Sequence, residues 1–144
     1  MRRGRLLAVG LLGLASWLAL PVAHAATSNQ RADMTGPEET SPPGPADAKG
    51  TATIMLDDSA NTVCYQLTYS GISKPTAAHI HTGAKGVAGP VAVDFNITKN
   101  GDKGCVPADP TVIGQIRDNP GGHYVNIHTA EFPKGAIRGQ LAKV

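Results

Sequence analysis

Residues 76–82 read TAAHIHT, and residues 123–129 read HYVNIHT. Each has β-branched or aromatic residues at alternate positions and a turn signal behind it, so both read as strands. Side chains leave a strand on alternate faces. In the first segment Ala78, Ile80 and Thr82 share one face, and His79 and His81 share the other. In the second, His123, Val125 and Ile127 share one face, and Tyr124, Asn126 and His128 the other. The Ile and Val residues mark the core side. His79, His81, Asn126 and His128 therefore project from the opposite side.

The same alternation recurs along the chain. TATIML (51–56), TVCYQLTYS (62–70), PVAVDFNI (90–97), GCV (104–106) and AIRGQLAKV (136–144) all read as strands, separated by Gly-, Asp- and Pro-rich turns. Short strands at this spacing predict an all-β fold, an antiparallel sandwich of about 7–8 strands. One segment breaks the rule. In DPTVIGQIRDNPGG (109–122), Asp109 can cap a helix and Pro110 suits its first turn. Val112, Ile113 and Ile116 form one apolar stripe, so one short helix is expected there.

The ends of the chain are different in kind. Residues 1–25 read as a signal peptide: Arg2, Arg3 and Arg5, then an apolar run, then the cleavage triplet Ala23-His24-Ala25. The apolar run ends at Pro21 and is short for a membrane span. Cleavage near Ala25 would leave a secreted or periplasmic protein with no membrane segment in its mature form. Residues 26–49 are rich in Pro, Gly, Ser, Thr and acid, and read as a disordered leader. The folded domain is expected over residues 50–144.

Removing the signal takes three of the 13 basic residues and none of the 11 acidic ones, leaving a net charge of −1. A near-neutral chain without a basic cluster argues against nucleic acid as a partner. Cys64 and Cys105 are the two cysteines, and an even count in an exported chain favours a disulfide. Their spacing lacks the paired CxxC arrangement of a thiolate metal site.

The two histidine segments also echo each other. Ile80-His81-Thr82 matches Ile127-His128-Thr129, His79 matches Asn126, and Lys85-Gly86 and Lys134-Gly135 follow. On neighbouring strands the outward imidazoles would lie about 5–8 Å apart at Cβ. That suits one small ion held by His79, His81 and His128, with copper or zinc the natural choices for imidazole nitrogen. His123 joins the set only if the strand bulges after Gly121-Gly122 and turns it outward. Asn126, Thr82 and Thr129 are candidate supporting groups that fix ring orientation. Arg138 falls on the polar face, where a surface ion pair with Glu131 or Asp94 is expected. No nucleophile elbow and no facing carboxylate pair appears, so the residues point to a binding protein rather than an enzyme.

The combination AHIHTGAKGVAGPV with YVNIHTAEFPKGAIRGQL resembles the CHRD domain family, modules named after the chordin repeats and found also in exported bacterial proteins. The resemblance covers about residues 51–142. It implies an extracellular β-sandwich and, since the family also occurs in multidomain extracellular proteins, an alternative role as a protein-interaction module with structural histidines. The partner would then be an extracellular or periplasmic protein. The H-x-H pattern with a later histidine is also similar to Cu,Zn superoxide dismutase sandwiches. The bridging histidine, the zinc cluster and the long electrostatic loop of that family have no counterpart here, which argues against a dismutase.

Overall fold

The computed structural model describes residues 27–40 and 42–144. The expected signal peptide lies outside the described residues. Nine strands run β1 (Thr27–Thr35), β2 (Lys49–Asp57), β3 (Thr62–Ser70), β4 (Pro75–Thr82), β5 (Val91–Asp94), β6 (Lys103–Pro107), β7 (His123–Thr129), β8 (Ile137–Gln140) and β9 (Ala142–Lys143). A one-turn helix α1 (Ile97–Asn100) precedes β6, and α2 (Pro110–Asp118) precedes β7. The all-β expectation holds.

The strands form one antiparallel sheet in the order β5-β4-β7-β8-β1-β2-β3-β6, with β9 also on β1. The sheet folds over on itself through the short β8–β1 junction, where a single pair, Thr35 with Arg138, is in register. Its two halves enclose one core. Ala32, Ile54, Leu56, Val63 and Leu67 come from one half, and Ala78, Ile80, Val125, Ile127 and Ile137 from the other. The free edges approach each other as well. Tyr65 of β3 stacks on Phe95, just past β5, at 4.3 Å between centroids, and its hydroxyl donates to the Phe95 carbonyl at 3.1 Å. Cys64 and Cys105 are bonded and sit directly opposite each other on β3 and β6. This cross-link ties the edge strand β6 to the sheet.

Helix α2 forms where expected. The Asp109 side chain accepts from Thr111 N at 2.7 Å, capping the first turn, Pro110 follows, and Ile113 and Ile116 are buried. Among the described residues no helix is long and apolar enough to cross a membrane.

The leader expectation fails. Residues 27–35 form β1, an interior strand paired with β2 over nine consecutive positions. Its inward face is Gln30, Ala32 and Met34, all buried. That face is small and only weakly apolar, and the outward residues between are Asn29, Arg31 and Asp33. Average composition therefore looked disordered while a period-two pattern lay beneath it. Met34 sits where a side chain on Gly50 would meet its terminal methyl at 3.2 Å. The segment after β1 is used too. Gly36 N donates to the Ala48 carbonyl at 3.0 Å, and the following residues pack against the chain near β8.

Met34→Ala should lower unfolding free energy by about 2–5 kcal/mol, the range for truncating a buried large side chain. A change at exposed Asn29 on the same strand should stay within about 0.5 kcal/mol. Urea denaturation followed by circular dichroism measures both. Equal, negligible effects would mean residues 27–35 are a tether after all.

A candidate metal centre on the sheet

The site begins with the pairing of β4 and β7. Their antiparallel register sets His79 opposite Asn126, His81 opposite Tyr124, and Ala77 opposite His128. His79 and His128 are thus diagonal neighbours on one face, and the small Ala77 leaves room for the larger ring. On the other side of β4, His79 faces Asp94 of β5, and the ladder shifts between Ile80 and His81.

One ring nitrogen from each of His79, His81 and His128 lies within 4.8 Å of the other two. Among the described residues this is the one such cluster of three or more ligating side chains. The tightest pair is His79 Nδ1 and His128 Nε2, at 3.1 Å. Two ligands 2.0–2.1 Å from a tetrahedral ion are roughly 3.3 Å apart. The His79–His128 pair already has about that spacing, and the third ring, within 4.8 Å, needs to close in by up to about 1.5 Å.

The two echoed turns explain the orientation of the rings. After His81 the chain turns through residues 83–89 and returns the Gly89 carbonyl to His81 Nδ1 at 2.8 Å. A side chain at Gly89 would lie 1.6 Å from the Thr82 carbonyl oxygen, so only glycine permits this approach. After His128 the chain turns again and returns the Pro133 carbonyl to His128 Nδ1 at 3.0 Å. A carbonyl can only accept, so each Nδ1 carries the proton and donates. Nε2 of each neutral ring is then left with a lone pair. In His81 that nitrogen is buried and has no partner. His79 completes the set, with Nδ1 toward His128 and Nε2 3.8 Å from Asp94 Oδ1. His81 and His128 have an oxygen acceptor on their outer nitrogen, the arrangement that fixes tautomer in imidazole metal sites, while for His79 the Asp94 carboxylate lies nearby without a direct hydrogen bond.

Thr129 supports this geometry directly. Its hydroxyl accepts from Phe132 N at 3.1 Å, and Gly135 N donates to the Phe132 carbonyl, so the turn that carries Pro133 is closed. Thr82 is exposed and closes its turn through the backbone, donating N–H to the Pro90 carbonyl at 3.0 Å. Its hydroxyl takes no part. Asn126 is buried, and its Oδ1 lies 3.0 Å from His128 Nε2. His123 is not brought to the cluster. The strand keeps its parity, and His123 Nδ1 donates to the Asn119 carbonyl at 3.0 Å in the turn after α2.

Behind the imidazoles lies a layer that the sequence did not announce. Tyr124 stacks on His81 with centroids 4.8 Å apart and planes 6° from parallel. The Arg138 guanidinium sits over the other ring, 3.4 Å from the Tyr124 centroid. Arg138 is 2% exposed and donates to the Ala84 carbonyl at 2.9 Å, so it is no surface ion-pairing group. Glu39 is buried beside it, its Oε1 without a hydrogen-bond partner, and within reach of the Arg138 charge. A side chain at Gly135 would strike the Glu39 carboxyl at 2.2 Å.

Burial sets the charge states. It pushes His79 down from 6.5 to about 4, helped by neighbouring His128 and His81 and opposed by Asp94. His128 is also lowered, first by burial, against the Pro133 hydrogen bond. Both rings are neutral at pH 7 and present lone pairs. Glu39 moves the other way, raised from 4.5 to about 7 by burial, against the opposing pull of Arg138.

These shifts give opposite pH trends. The unfolded chain binds a proton at His79 between pH 4 and 6.5 that the folded chain refuses, so this contribution to stability is lost as pH falls through that window. For Glu39 the folded chain binds the extra proton between pH 4.5 and 7, so its contribution is lost as pH rises. The stability difference between wild type and His79→Gln should therefore grow in favour of wild type from pH 4 to 6.5. The difference for Glu39→Gln should shrink over pH 4.5 to 7. Urea midpoints across that range test both, and parallel trends would refute the charge assignment.

The chain was also compared with known proteins. No curated protein and no solved structure matches it. A protein-family match does cover residues 30–141, described as the CHRD domain, and it begins within β1. Spanning most of the chain, that match places this protein in the CHRD domain family.

Proposed function

We propose that this protein is an exported CHRD module that holds one copper or zinc ion through His79, His81 and His128, for sequestration or delivery outside the cytoplasm. The family and the Cys64–Cys105 disulfide support the exported setting. The metal reading rests on one observation. Three imidazoles bring one nitrogen each within 4.8 Å while their outer nitrogens face Gly89 O, Pro133 O and Asp94 Oδ1. Three neutral imidazoles suit copper and zinc, and three protein ligands leave a coordination position open. An open, half-buried site fits an ion that is taken up and handed on better than one locked in a fold.

A second reading has its own observation. His79 Nδ1–H can donate to His128 Nε2 at 3.1 Å, which satisfies two of the three rings without an ion. The histidines would then be structural, and the sheet would serve as an interaction module for an extracellular or periplasmic protein.

Calorimetric titration of the purified protein with Cu(II) and with Zn(II) separates the two. The metal reading expects one ion per chain. His81→Ala and His128→Ala should each weaken binding by more than about 100-fold, beyond the 10–100-fold typical of losing a supporting group. Ligating histidines must be unprotonated, so binding should fade as the solution is acidified. At an excess of 100 times Kd the ion should add about 2.7 kcal/mol of stability. No heat of binding and an unshifted melting temperature would support the structural reading instead.

A further inference from the structure

His81 and His128 reach their positions through matching turns, yet they differ in what stands across the ladder. The register sets Tyr124 directly opposite His81, whereas the small Ala77 stands opposite His128. Tyr124 meets His81 in two ways. Its ring lies parallel to the imidazole, with planes 6° apart and centroids 4.8 Å apart. Its hydroxyl accepts from Gly89 N at 3.2 Å, and Gly89 returns its carbonyl to His81 Nδ1 at 2.8 Å. The result is a closed circuit of ring on ring, imidazole N–H to carbonyl, and amide N–H to phenol. The stack restrains the tilt of the imidazole, and the Gly89 link fixes the edge that carries its proton. Strand order β4-β7-β8 carries Arg138 to the far side of Tyr124 from His81, where its guanidinium lies 3.4 Å from the ring centroid. Arg138 is tied in turn to the Ala84 carbonyl at 2.9 Å and to Gln140 Oε1 at 3.2 Å. Tyr124 is thus held between an imidazole and a fixed cation, and it is buried.

We infer that Tyr124 is the positioning residue of the metal site: its ring and its hydroxyl together hold His81 in one plane and one tautomer, so that the Nε2 lone pair stays aimed at the ion. This rests on the metal reading above. His81 depends on such a hold more than His128 does. The Nε2 of His81 is buried and has no hydrogen-bond partner, whereas His128 Nε2 has His79 Nδ1 at 3.1 Å and Asn126 Oδ1 at 3.0 Å. An imidazole tied at one nitrogen can still swivel about that bond. Parallel contact with a buried aromatic ring removes the freedom, and offset stacking is a favoured geometry for such pairs. Groups outside the ligand set that orient a ligating histidine typically change metal affinity 10–100-fold. Tyr124 does this by contact with the ligand, without touching the ion.

The experiment compares wild type, Tyr124→Phe and Tyr124→Leu by calorimetry with Zn(II) and with Cu(II), and by nitrogen-15 NMR of the imidazole rings in the metal-free protein. Tyr124→Phe keeps the stack and loses the hydroxyl that holds Gly89. Tyr124→Leu loses both. Metal affinity should fall about 10-fold in Tyr124→Phe and nearer 100-fold in Tyr124→Leu. The Nδ1–H tautomer of His81 should lose population in the same order, while His128 keeps its Nδ1 proton in both variants. If Tyr124→Leu does not fold, Tyr124→Phe carries the test. A purely structural role would lower the urea midpoint and leave the metal affinity and the His81 ring signals of the folded variants at wild-type values. That result would overturn this inference alone, and so would equal changes at His81 and His128. A wild-type protein that binds neither ion would remove the metal reading and this inference together.

Discussion

Everything at the site depends on the register of β4 against β7. Antiparallel pairing with Ala77 opposite His128 and His79 opposite Asn126 puts three imidazoles and one amide on a single face. A slip of one residue would send every one of these side chains into the core and bring Ile80 and Ile127 out. The core therefore enforces the site. Burial of Ala78, Ile80, Val125 and Ile127 on one face fixes which groups gather on the other. Site geometry and fold stability are two sides of the same strands.

The polar face is not simply a solvated surface. The turn after His81, the turn after His128 and the segment after β1 fold over it, so that His81, Asn126, Arg138 and Glu39 are all buried. Burial keeps His79 and His128 neutral, where water would let them titrate near neutrality. It also makes Glu39 a weak acid beside the guanidinium of Arg138. The cation finds its compensation in the Tyr124 ring, the Ala84 carbonyl and Gln140 Oε1. The result is a layered arrangement of imidazole, phenol and guanidinium, stiff enough to hold ring planes and polar enough to need every hydrogen bond it makes.

Much of this was legible from residue order. Alternation placed His79, His81, Asn126 and His128 on one face, and the pairing of two cysteines in an exported chain pointed to the bond that links β3 to β6. The helix at 110–118 was readable because its cap, its Pro and its apolar stripe all agree. The echoed His-Thr and Lys-Gly positions were visible as a pattern, and the fold supplies their meaning: each turn brings a carbonyl back to the Nδ1 of its own histidine. What stayed hidden depended on long-range contact. β1 has Gln30, Ala32 and Met34 as its inward face, too weak a signal to stand out from polar neighbours, and its order comes from the full ladder with β2. Once residues 26–49 were read as a tether, Glu39 could not be seen as part of a site. Arg138 alternates correctly onto the polar face, yet nothing in the local sequence says that other segments will cover that face.

The central claim is that His81 and His128 keep their protons on Nδ1, so that their Nε2 lone pairs converge with His79 on one point. Nitrogen-15 NMR of the imidazole rings reads this directly, since the two ring nitrogens give distinct shifts in each tautomer. The account predicts Nδ1–H tautomers for His81 and His128 at neutral pH, with Zn(II) shifting their Nε2 resonances and leaving the Nδ1 protons in place. Nε2–H tautomers in the metal-free protein, or rings whose Nε2 signals ignore the ion, would contradict it.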